Sequence, residues 1–87
     1  MNSPVHARPE FPIAMRVRIM RELAVVRLED IVSGLRDRGV RLSQGDLSNL
    51  ELGVRPLSAA LAKQIGEVLV AILQAREKAV RELLSAQ

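Results

Sequence analysis

The chain has 87 residues, 48% of them hydrophobic, and a formal net charge of +3; this suits one small domain whose core alone supplies only about 3 to 5 kcal/mol, so self-association is the expected supplement. With no cysteine, one histidine (His6) and one aromatic residue (Phe11), the composition excludes disulfides and thiolate zinc sites, gives His6 no partners for a metal site, and argues against the aromatic platforms on which single strands and RNA stack. No run approaches the roughly eighteen apolar residues of a membrane span and the first residues carry no signal pattern, so the expected setting is a bacterial cytoplasm, nucleoid-associated and without a membrane partner.

Residues 1–12 contain Pro4, Pro9 and Pro12, each incompatible with a helix interior, and predict an extended arm. Arg8 within it reads either as a minor-groove contact or as part of an unstructured tail. From Ile13 to about Ala24 the residues Ile13, Val17, Met20 and Ala24, widened by Ile19 and Leu23, recur at helical spacing. The β-branched pair Val25-Val26 weakens helix propensity after them. A second helix is predicted from about Leu28 to Arg38, with Leu28, Ile31, Val32 and Leu35 on one face. Glu29 and Asp30 in its first turn and Arg36 and Arg38 in its last suit the helix dipole, and Gly39 follows as a stop.

The segment Ser43 to Pro56 carries the strongest functional signal. Ser43 followed by Asp46 has the spacing of a capping box, and Gly53 supplies a left-handed stop. Between them, Leu47 and Leu50 can anchor one face, while Gln44, Gly45, Ser48 and Asn49 fall largely on the other, where amides can pair with adenine edges. The competing reading of these polar residues is a solvated face, and Gly45 reads equally as close approach to a ligand or as tolerance at a helix start.

Pro56 and the N-cap candidate Ser58 introduce a long helix to Leu84, with a seam of Leu61, Ile65, Val68, Ile72, Ala75 and Ala79 and a second flank of Leu69, Leu73, Val80 and Leu84. Residues 13–57 are thus read as a DNA-binding core and 58–87 as a long C-terminal helix that completes it and mediates dimerisation. The expected dimer interface is Val68, Leu69, Ile72, Leu73, Ala79, Val80, Leu83 and Leu84, with an ordinary core helix folding back as the alternative. Gly66 is expected to mark the division, as a bend or as close helix packing.

On the stretch Leu47-Ser48-Asn49-Leu50-Glu51-Leu52-Gly53-Val54-Arg55-Pro56, and over roughly residues 15–69, the chain resembles the helix-turn-helix domains of Cro and the lambdoid phage repressors, the xenobiotic-response-element type. The resemblance implies an all-α fold of four to five helices, repressor-like, with an extended C-terminal helix. It also implies that Gln44, Gly45, Ser48 and Asn49 face bases, that the backbone near Gly53 to Arg55 lies against phosphate, and that Glu51 is structural, paired with Arg21 on the first helix. The connection from Leu35 to Leu42 is longer than the family's short turn, which leaves the base-contact register open.

Eleven of the thirteen basic residues are arginine, the side chain whose planar fork matches phosphate oxygens and guanine edges. Arg41, Arg55 and the start of the third helix at Ser43 are the expected phosphate contacts, followed by Arg36 and Arg38, with Arg16, Arg18 and Arg27 weaker. The function expected is a transcriptional repressor or autoregulator of phage or mobile-element type, binding double-stranded DNA at an inverted repeat as a homodimer. An antitoxin or adaptor with a toxin or other protein partner is the alternative. No enzyme is expected, since no nucleophile-base pair or metal cluster is present, and no cofactor.

Overall fold

Over residues 12–86, which the computed structural model describes, the chain forms four α-helices and no strand: α1 (Ile13–Leu23), α2 (Leu28–Asp37), α3 (Gln44–Glu51) and α4 (Ala59–Ser85). The predicted arm, with Arg8 and His6, lies outside the described residues except for Pro12. That residue is the extended N-cap of α1, its carbonyl accepting from the Arg16 amide at 3.1 Å. None of the four helices is long and apolar enough to cross a membrane.

The first three helices end in the same way. At each, the amide of the second residue past the cap reaches back to a carbonyl five residues earlier: Val26 to Arg21, Val40 to Leu35 and Val54 to Asn49, at 2.9 to 3.1 Å. This closure satisfies carbonyls that the last helical turn leaves open, and it requires one residue in the left-handed conformation. Gly39 (φ 83°) and Gly53 (φ 78°) supply it after α2 and α3, but after α1 the residue is Val25 (φ 53°). For a residue with a Cβ that conformation costs about 1 to 2 kcal/mol. Arg76 of α4 braces the turn, donating to the Ala24 carbonyl at 2.6 Å and the Val25 carbonyl at 2.8 Å.

The core is made by Val17, Val26, Ile31, Val32, Leu35, Leu47, Ile65, Val68 and Leu69. Both α1 and α2 pack against α4 and against α3, whereas the backbones of α3 and α4 stay apart. Helices α2 and α4 approach closely at Gly34, where a Cβ would collide with the Val68 side chain. At Gly66 the reverse holds. A Cβ there would meet nothing, so Gly66 is not a close contact, and α4 continues through it as helix.

The expected dimer interface is corrected at its inner end. Val68 and Leu69 are buried in the core of their own chain and so are not free to meet another copy, while Ile72 is half-buried and packs partly against that core. The outer set of Leu73, Ala79, Val80, Leu83 and Leu84 stays exposed. An apolar seam read from sequence shows that a face is covered without showing by what, and here α1 and α2 cover its first half.

Candidate nucleic-acid interface

The eight residues of α3 are fixed from in front and from behind. At its start, the Ser43 hydroxyl accepts from the Asp46 amide and the Asp46 carboxylate accepts from the Ser43 amide, both at 3.0 Å. The Asp46 carboxyl is held below the ordinary carboxylate range, first by the Ser43 amide, then by the Ser43 hydroxyl, with attraction from Arg55 adding to both. On the inner side Leu47, Leu50 and Glu51 are buried.

Glu51 receives a two-pronged hydrogen bond from Arg21, Nε to Oε2 at 2.7 Å and Nη2 to Oε1 at 2.9 Å. The remaining prong, Nη1, donates to the Val26 carbonyl at 2.8 Å. One guanidinium therefore joins α1, the α1–α2 turn and α3. The hydrogen bond to Glu51 raises the pKa of Arg21 above its already high ordinary value, so the guanidinium stays charged.

With its leucines and glutamate turned inward, α3 presents Gln44, Gly45 and Asn49 to solvent and Ser48 at the edge, half-buried. Because α4 packs elsewhere on α1 and α2, nothing among the described residues covers this face. The connection before α3 spans residues 38–43, longer than the three or four residues of an ordinary helix-turn-helix turn. It carries Arg41, which with Arg36, Leu42 and Ser43 lines an open notch of about 540 Å³ beside the α3 N-terminus. The Ser43 amide is consumed by the capping box and so is not available to an anion in this notch.

The other arginines divide by partner. Arg55, just past α3, donates to Asp46 Oδ1 at 3.3 Å with both side chains about half exposed, a pairing of small net worth that a phosphate can replace. Arg38 does not face the notch. It turns back to α4, donating to Glu67 Oε2 and to the Gln64 carbonyl, and it holds the Glu67 carboxyl below its ordinary range. Arg18 pairs with Glu22 and Arg27 with Glu29, while Arg16 lines a groove between α1 and α4 with Ile13, Met20 and Lys63. The phosphate candidates that the fold places beside α3 are thus Arg36, Arg41 and Arg55.

Sequence reasoning missed Arg76, whose contact with α1 spans some fifty residues of chain and leaves no local pattern. Comparison with protein-family models, with characterised proteins and with solved structures found no significant match.

Proposed function

We propose that the protein is a sequence-specific DNA-binding regulator in which α2 and α3 form a helix-turn-helix and α3 enters the major groove. The observation that carries this reading is the uncovered outer side of α3, with amides at Gln44 and Asn49, held rigidly by its cap and by the Arg21–Glu51 pair and flanked by Arg36, Arg41 and Arg55. Amide side chains pair in two-pronged fashion with adenine, each such contact discriminating by about 1 to 3 kcal/mol. The flanking guanidinium groups set position on the backbone and carry no sequence information. The regulator acts as a homodimer at an inverted repeat whose half-sites lie about 34 to 36 Å apart or a multiple of that.

Binding selection from random duplexes, followed by isotherms at several salt concentrations, tests it. Asn49→Ala is expected to relax preference at one base pair, whereas Arg55→Ala weakens every duplex alike and lowers the salt slope by about 1. Equal losses for both variants on selected and random DNA would refute the division of roles, and absence of any enriched sequence would refute base reading by α3.

A further inference from the structure

Among the apolar side chains left exposed, which also include Met15, Leu52, Val54 and Val70, two groups are tied together by one residue. Leu23 and Val25 project from the α1–α2 turn, 65% and 78% exposed, while Leu73, Val80, Leu83 and Leu84 stand exposed on the part of α4 beyond the core. Arg76 sits between them, bonded to the Ala24 and Val25 carbonyls, about one helical turn from both Leu73 and Val80. Positions 73, 76, 80 and 84 follow steps of three and four and so share a side of the helix. Val25 keeps a left-handed backbone where the two equivalent turns use glycine, although its side chain is largely exposed and adds little to the core. Backbone strain of this kind clusters at functional positions such as active sites, ligand clamps and switch regions.

We propose that this valine knuckle and the exposed end of α4 form a two-fold contact with a second copy of the chain, Val25 of each packing against α4 of the other near Val80. The proposal rests on the homodimer reading above; it keeps the exposed outer part of the expected interface, leaves out the buried Val68 and Leu69, and adds Val25. A second copy is the occupant because charge along this stretch alternates. Glu77 pairs with Arg81 at 2.7 Å and Lys78 with Glu82 at 4.0 Å within the helix, so there is no single-sign stripe to draw phosphate or lipid headgroups. Two-fold symmetry also doubles the apolar contribution of each copy, which an interface centred on one short helical end needs.

Sedimentation velocity over a range of concentrations, with helicity followed by circular dichroism, tests the contact on the full chain. Val25→Asn retains a residue that tolerates the left-handed conformation and removes the apolar knob; it is expected to weaken dimerisation about tenfold or more without loss of helix. Val80→Asp, exposed in the single chain, should do the same. Val25→Gly is the second check, since it relieves the backbone and yet should lower self-association. If Val25→Asn and Val25→Gly dimerise like the parent, the knuckle contact is overturned while the homodimer reading stands. A parent chain that sediments as a monomer throughout overturns both, whether or not another protein takes that face. Fluorescence anisotropy on operator DNA then reports separately whether α3 binds.

Discussion

At the scale of single residues, the Arg21–Glu51 pair and two glycines make the sharpest demands. The Glu51 side chain is 5% exposed and that of Arg21 13%. Removing one partner of a buried pair leaves the other charge uncompensated, at a cost of about 3 to 5 kcal/mol, which rivals the whole stability of a domain this small. Glu51→Ala should therefore be substantially unfolded at 25 °C by circular dichroism, and a melt like that of the parent would remove the pair from this role. The glycines offer an internal control, because one substitution should act with opposite signs at two sites. Gly34→Ala forces a methyl against Val68 and should destabilise by about 1 to 3 kcal/mol. Gly66→Ala meets nothing and replaces the poorest ordinary helix former inside α4, so it should stabilise by about 0.8 to 1 kcal/mol, a rise of about 4 to 8 °C per kcal/mol in Tm for a domain of this length. Changes of the same sign at both positions would contradict the close approach of α2 to α4.

At the scale of elements, what the sequence made legible is what is decided locally. Ser43 with Asp46, Ser58, Gly39 and Gly53 each settle a helix end through hydrogen bonds or a left-handed backbone within a few residues, and the ends fall where those residues stand. Ser43→Ala should cost about 1 kcal/mol through loss of the α3 cap, read as a lowered urea midpoint with unchanged slope. The end of α1 was legible only as a weakening of helix propensity at Val25-Val26. Its closure depends on a valine in a glycine's conformation and on an arginine from α4, both fixed by tertiary structure. Val26, which looked like a helix breaker, is a core residue whose carbonyl also receives Arg21. Likewise the seam of α4 gave the right face but the wrong cover for Val68 and Leu69, since periodicity carries no information about which surface lies opposite. The polar residues of α3 were readable because their leucine neighbours fix the helix rotation.

At the scale of the whole molecule, two carboxyl groups contribute to the response to acid. Asp46 and Glu67 both have pKa values lowered in the folded chain, by Ser43 and by Arg38 respectively. The unfolded chain therefore binds more protons than the folded one in the carboxylate range, so stability falls as pH falls through that range. Both contributions are fully present above the ordinary carboxylate values and are lost below the lowered ones. Urea midpoints measured from neutral to acid pH should decline accordingly, and Asp46→Asn combined with Glu67→Gln should flatten the decline; an unaltered slope would show that other groups govern it.

Arg76 is the last residue of α4 bonded to the rest of the fold among the described residues, and nine more residues of α4 continue beyond it, to Ser85, with every side chain exposed. A helical stub of that length is marginal in water when nothing lies against it. In dilute solution its amide hydrogens should exchange with deuterium far faster than those of Ile65 or Val68, and trypsin should clip it after Lys78 and Arg81 while sparing the body. Protection that grows with protein concentration would make this stub a built-in gauge of how much of the chain is assembled.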